Sequence, residues 1–265
     1  MLIFLHLPKT AGKTLLGIIE RQYSSQAILS LYSSSFGEEI KTMPRNQIAM
    51  KQLMIGHFYF GVHLLLPGLS TYLTMLRDPV DRIISHYYFV RSDPTHYLHP
   101  LSQQLSLGEY VMACNRLEPN NDQTRMLAGQ KYLTNSGEWS PEMLPVAKQN
   151  LRDHFSFVGL TEEFDRSLLL IKHLCGWKMP FYLSKNVTRH RPRKEKISKE
   201  TLQVIQAYNK LDMELYSYGK VLFQRQLCSL ENVIENELRL FQILNGSFNK
   251  VYRLVSTATS KILVM

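Results

Sequence analysis

The sequence predicts an α/β domain: a central, mostly parallel sheet flanked by helices in a P-loop-like three-layer arrangement, with a helical C-terminal extension. Three observations lead there. Short apolar runs of strand length alternate with longer segments of helical periodicity, and that alternation requires crossover connections and hence parallel pairing. The first run, Leu2-Ile3-Phe4-Leu5, passes through a short loop into the helical pattern Leu15-Leu16-Ile18-Ile19, which is a strand–loop–helix unit. The chain of 265 residues, 45% hydrophobic and 20% charged, has the composition of a globular protein with ample core.

Taken in order, residues 27–32 and 52–60 read as the second and third strands, the latter ending in aromatics around His57. Pro67-Gly68 marks a turn. Residues 71–76 form a strong β run that Arg77-Asp78-Pro79 breaks, and Ile83, Ile84, Tyr87 and Tyr88 then repeat at helical spacing. Pro79 suits the first turn of that helix. The polar stretch 91–140 carries one helix at 107–114 and another after Asp122. A helix at 142–154, a last strand at 155–160 and an amphipathic helix at 162–174 follow. Residues 186–199 are a basic loop, 201–227 one helix, and 229–244 a tail with apolar residues at helical spacing. The domain is therefore placed at 1–227 and the helical extension, packed on it or used for association, at 228–265.

The formal net charge is +9, which points to an anionic ligand or substrate. No apolar run approaches the ~18 residues of a membrane span. Met1 leads directly into the first strand, without a signal-peptide pattern. Three cysteines, Cys114, Cys175 and Cys228, do not make a disulfide framework. A cytoplasmic location is the expectation.

Residues 7–14, Leu-Pro-Lys-Thr-Ala-Gly-Lys-Thr, lie between the first strand and its helix. That geometry aims backbone N–H groups and the positive end of a helix at an anion. Lys9 and Lys13 add charge; Thr10 and Thr14 add hydroxyl donors. Gly12-Lys13-Thr14 matches the end of the pattern G-x-x-x-x-G-K-[ST], but Leu7 occupies the first glycine position and Pro8 stiffens the loop. The cradle therefore suits a group smaller than a triphosphate. A second constellation runs from Arg77 through Asp78, Pro79 and Arg82 to Ser85. Parallel sheets collect ligands beyond the carboxyl ends of their strands, so Arg77 should face the same crevice as Lys9, with its guanidinium fork suited to phosphate. Asp78 reads as a helix cap or an arginine partner.

Together the two stretches resemble the signature motifs of the sulfotransferases that use 3′-phosphoadenosine 5′-phosphosulfate (PAPS), in the carbohydrate O-sulfotransferase branch, similar to heparan sulfate 2-O and 6-O enzymes and their bacterial relatives. Pro8 to Thr14 stands where that family has its 5′-phosphosulfate loop, and Arg77-Asp78-Pro79 with Arg82 and Ser85 where it has its 3′-phosphate motif. Tyr87-Tyr88-Phe89, residues 121–129 and residues 157–162 add further likeness in consistent order over residues 1 to 225. Ala11 replaces the usual second small glycine, and Lys13 a residue commonly Thr or Gly.

The resemblance implies in-line sulfuryl transfer from PAPS to a hydroxyl, most readily that of a carbohydrate. It makes Lys9, Thr10, Ala11, Gly12, Lys13 and Thr14 the 5′-phosphate contacts, and Arg77 and Ser85 the 3′-phosphate contacts. Lys9 would neutralise the leaving phosphate, so no metal is expected. His57 is the candidate base, since imidazole titrates near neutrality and the family carries its catalytic His in that region; His6 and His63 are its rivals. Ile55 stands where the 2-O branch has an additional His. Within the basic stretch 189–196, Arg191 or Arg193 would contact cofactor phosphate, and Arg125 would line the cleft and bind substrate or form a structural salt bridge. The expected partners are the nucleotide co-substrate and a glycan acceptor, without nucleic acid. Two other readings stand beside this one: a P-loop-type kinase of a nucleotide or sugar, and a non-catalytic polyanion binder.

Overall fold

A computed structural model describes residues 1–32, 36–114, 117–129, 140–183 and 191–262. Its five strands are β1 (Leu2–Leu5), β2 (Ile28–Leu31), β3 (Leu53–Gly56), β4 (Thr71–Leu76) and β5 (Phe155–Leu160). They form one sheet in the order β2-β3-β1-β4-β5, and every pair is parallel. Such a sheet is covered on both faces, which is why β1 and β3 are continuous apolar runs whose Ile3, Phe4, Leu5, Leu53, Met54 and Ile55 are wholly buried.

The helices are α1 (Gly12–Ile19), α2 (Phe36–Thr42), α3 (Arg45–Ala49), α4 (Pro79–Ser92), α5 (His99–Gln104), α6 (Leu107–Ala113), α7 (Asp122–Ala128), α8 (Met143–His154), α9 (Phe164–Cys175), α10 (Lys199–Tyr208), α11 (Lys210–Cys228) and α12 (Glu231–Ile262). One apolar core lies around the sheet. A second gathers Val80, Ile83, Ile84, Tyr87 and Val90 of α4 against Tyr110, Val111 and Ile205. Among the described residues no helix is long and apolar enough to cross a membrane.

The strand order locates the site. From β1 the chain crosses to β2 on one side, whereas from β4 it crosses to β5 on the other. Neighbouring strands whose connections diverge open a crevice at their carboxyl ends. Those ends are Leu5, which leads to Lys9, and Leu76, which leads to Arg77.

Four expectations need correction. The third strand stops at Gly56, a glycine because the chain there runs so close to β2 that a Cβ would stand 1.8 Å from Leu31 O. The following aromatics fold away, with Phe60 N donating to Met126 O at 2.8 Å. The single helix expected at 201–227 is broken at Asn209, whose backbone leaves the helical region at φ −127 and ψ 33. Its buried amide instead donates to Pro119 O and Ile205 O and accepts from Asn121 N. Short helices α2 and α3 occupy a stretch where no element is expected, and α5 adds to the two helices expected in 91–140; at 5 to 7 residues they are too brief to show a period. The tail helix runs far past Leu244 to Ile262, docked through Ile234 and Phe241.

Candidate functional site

The β1–α1 loop is bent into a nest. Lys9 and Ala11 adopt left-handed backbone, φ 67 and φ 63, at a cost of roughly 1–3 kcal/mol each for non-glycine residues. Thr10, fully buried between them, anchors the bend by donating to Leu7 O at 2.8 Å. The helix has no side-chain cap at Ala11, and among the described residues the amides of Ala11, Gly12 and Lys13 have no protein acceptor. Alternating left-handed residues that present successive amides at a helix N-terminus make an anion-binding concavity. Leu7, at the first-glycine position of the near-P-loop pattern, is a core residue with 1% exposure.

The second motif is joined to this nest. Arg77 Nη1 donates to Lys9 O at 2.9 Å, so the loop after β4 and the loop after β1 share one wall. Asp78 caps α4 by accepting Asp81 N at 3.0 Å, with Pro79 in the first turn. Ser85 is buried two turns into α4. Phe89, one turn further, lies under the Lys9 ammonium, 3.9 Å from ring centroid to Nζ, with Lys13 Nζ at 5.8 Å. The described part of the basic stretch crosses the start of α4. Arg191 pairs with Asp81 at 2.7 Å and Lys194 with Asp78 at 3.3 Å. Arg193 is exposed; Arg189 and His190 lie outside the described residues.

The electrostatics of this wall are one-sided. Lys9 is depressed from 10.5 to about 8, first by burial and then by Lys13, Arg77 and Arg191. Burial and the nearby Arg191 likewise lower Arg77, whose Nε is buried without a partner among the described residues. Lys9, Lys13 and Arg77, gathered at this cost with both motif carboxylates already engaged by Arg191 and Lys194, form a receptor for a multiply charged anion.

His57 lies just past β3, on the other side of β1. Its Nδ1 is 2.6 Å from His6 O. A carbonyl only accepts, so Nδ1 carries the proton and Nε2 keeps its lone pair. The ring packs 4.4 Å from the His6 ring and edge-on to Tyr32 at 4.9 Å. Burial of the ring lowers its pKa, opposed by the hydrogen bond to the His6 carbonyl. His6 is buried and held to about 3, hence neutral, with Nδ1 2.9 Å from Tyr32 OH. His63 stands elsewhere: it bonds Tyr72 OH at 2.7 Å and packs on His154, at the amino ends of β4 and β5.

Behind the wall, Gln123 accepts Arg77 N and donates to Arg77 O, both at 3.0 Å. Gln123 is itself set by Asp212, which accepts Gln123 N, Thr124 N and the Thr124 hydroxyl. Asn121 returns the favour by accepting Leu211 N and Asp212 N, so the starts of α7 and α11 cap each other. Arg82, fully buried, pairs with Asp122 at 3.4 Å and Asp212 at 3.9 Å. Arg125 is almost buried, bonded to Leu117 O at 2.9 Å and Asp122 at 3.2 Å. The sequence pattern singled out neither Tyr32 nor Asp212; no motif or period marks them, and only the pairing of distant segments reveals them.

A family model described as galactose-3-O-sulfotransferase matches residues 1–242, which reaches past Leu227 into α12 and beyond the span matched by motif. The chain is 34% identical over 184 residues to heparan-sulfate 6-O-sulfotransferase 3 of Homo sapiens, aligning 58% of this chain with 38% of that protein. It is 32% identical over 211 residues to heparan-sulfate 6-O-sulfotransferase 1-B of Danio rerio, aligning 69% with 50%. The chain thus spans half or less of the length of these relatives. A solved structure of mouse sulfotransferase SULT7A1 complexed with PAP superposes at a TM-score of 0.38 with 15% identity, over 78% of this chain and 62% of that one.

Proposed function

We propose that this chain, which belongs to the galactose-3-O-sulfotransferase family, transfers a sulfuryl group from PAPS to a hydroxyl of a carbohydrate. The family and the relatives are named for different sugars and positions, a galactose 3-hydroxyl and a heparan-sulfate 6-hydroxyl; a carbohydrate hydroxyl is what they share. The observation that carries the reading is the convergence of Lys9, Lys13, Arg77 and Arg191 on one wall, with the open amides of Ala11 to Lys13 beside it.

PAPS when bound supplies an activated sulfuryl group on a phosphate leaving group. In this reading the amides of Ala11, Gly12 and Lys13 and the Thr14 hydroxyl hold the 5′-phosphate. Arg77 and Ser85 hold the 3′-phosphate, and the free Nε of Arg77 offers an unused donor. The Lys9 ammonium, parked over Phe89, stabilises charge that grows on the leaving oxygen. His57 accepts the acceptor's proton at Nε2, because Nδ1–H is committed to His6 O. Arg191 closes over the cations from the side of α4.

Calorimetric titration with 3′-phosphoadenosine 5′-phosphate (PAP), the desulfated cofactor, tests the reading, without magnesium and with ATP as comparison. The expected result is micromolar PAP binding that ATP does not reproduce and that Arg77→Ala abolishes. Preference for magnesium-ATP would reinstate the kinase, and no nucleotide binding would favour a polyanion binder.

A further inference from the structure

We propose that His86, His96 and Glu118 form a binding site for zinc or a closely similar transition-metal dication. One donor atom from each residue lies within 4.8 Å of the other two. The three come from separate segments: α4, the turn that follows it, and the turn before α7. With spacings of 10 and 22 residues they make no ligand motif in the sequence, and only the fold brings them together.

The orientation of His86 is that of a prepared ligand. The side chain is 3% exposed, and its Nδ1 stands 3.3 Å from the Tyr110 hydroxyl. In the tautomer in which Nδ1–H donates to that phenol, Nε2 keeps its lone pair, and among the described residues nothing bonds to it. An outer partner that sets the tautomer of a ligating imidazole is the usual companion of a metal site. Glu118 is held in the same manner: one carboxylate oxygen accepts the Tyr97 hydroxyl at 2.5 Å, and the other has no partner among the described residues. His96 is the ligand that must adjust. Its Nδ1 accepts Leu98 N–H at 3.2 Å, so ligation through Nε2 moves the ring proton to Nδ1 and gives up that long contact, with no net proton lost.

Two neutral imidazoles and one carboxylate suit zinc and its neighbours, whereas magnesium and calcium prefer all-oxygen shells. Ligand bonds of about 2.0–2.2 Å put tetrahedral donors roughly 3.3 Å apart, so the cluster has to close by about 1.5 Å. His96 and Glu118 are only partly buried and sit on turns, which allows it. Of the two cations that act on His86, Arg82 is already paired with Asp122 and Asp212, and Lys9 is the weaker opposing charge. A dication here ties the 93–98 and 117–121 turns to α4 immediately after Ser85. The site stands independently of the sulfuryl-transfer reading.

The test is isothermal titration of chelator-treated protein with zinc sulfate, in a Cys228→Ser background because that thiol is exposed. The expected result is one Zn²⁺ per chain, with affinity reduced at least tenfold in His96→Ala and in Glu118→Gln, neither of which empties a core position. His63→Ala, at the far end of the sheet, should bind zinc unaltered. Substoichiometric binding, or undiminished binding in His96→Ala, overturns the proposal.

Discussion

Gly12→Ala is the perturbation whose cost can be worked most directly from the structure. A Cβ at position 12 would stand 1.6 Å from His6 Nε2 and 2.1 Å from Cδ2, so the ring must retreat by ~2 Å to reach ordinary contact. It has little freedom to do so. His6 is stacked on Phe4 at 5.5 Å, packed on His57 at 4.4 Å, and bonded to Tyr32 at 2.9 Å. Overpacking a fixed side chain costs about 1–3 kcal/mol and the lost hydrogen bond about 1 kcal/mol more. Alanine's better helix propensity returns up to about 1 kcal/mol, which leaves a net loss of about 1–3 kcal/mol. Urea unfolding of Gly12→Ala, His6→Ala and the double variant measures it as a cycle. In the His6→Ala background the added methyl has room, so Gly12→Ala should there be neutral or stabilising. Equal cost in both backgrounds would refute the wedge.

Three further outcomes follow from the same geometry. Lys9, at about 8 in the folded chain against 10.5 unfolded, leaves the unfolded state holding more protons between those values, so stability should rise from about pH 8 to 10.5. Activity, which needs the ammonium, should fall over the same window when read as kcat/KM for PAPS, the ratio that reports the free enzyme; Lys9→Met should abolish the stability rise, and parallel trends in unfolding midpoint and kcat/KM would contradict the role. His57→Asn should lower kcat roughly 10²–10⁴-fold with PAP affinity unchanged. The parent's acid limb should fall below the ordinary imidazole value, because burial lowers the His57 pKa and the base works only when neutral. Asp212→Ala leaves Arg82 its Asp122 partner but orphans the buried Gln123 and Thr124 amides and should cost about 1–3 kcal/mol per orphaned donor in urea unfolding, whereas Glu38→Ala, which breaks an exposed pair with Lys41, should cost less than about 0.5 kcal/mol.

The strands were legible because a doubly covered parallel sheet demands largely apolar runs; residues 2–5 are apolar from end to end, and residues 71–76 and 155–160 are broken only by Thr71, Thr74, Ser156 and Gly159. The loop after β1 and the start of α4 were legible because an anion cradle and a proline-led helix use few residue types in fixed spacing. Periodicity failed where a side chain overrode the helix. Residues 201–227 repeat their apolar positions without interruption, yet Asn209 spends its amide on Pro119, and that contact across 90 residues breaks the helix in two.

The same long-range exchange explains why the site's support could not be read from its motifs. Arg77 is recognisable by position, but its height in the crevice is set by Gln123, which grips both its N–H and its carbonyl. Gln123 in turn starts a helix whose amides are received by Asp212, while Asn121 receives the amides at the start of α11. Each cap satisfies donors that would otherwise be orphaned at a helix N-terminus, and because the two are reciprocal, neither helix end can shift without opening the other. Arg82 closes the arrangement by drawing Asp122 and Asp212 to one guanidinium in the core. A buried charge cluster of this kind contributes little net stability; what it supplies is a single register between α4, α7 and α11. The cationic wall therefore owes its position to carboxylates and amides that never reach the crevice, and substitutions there should loosen anion binding through Arg77 while leaving every motif residue in place.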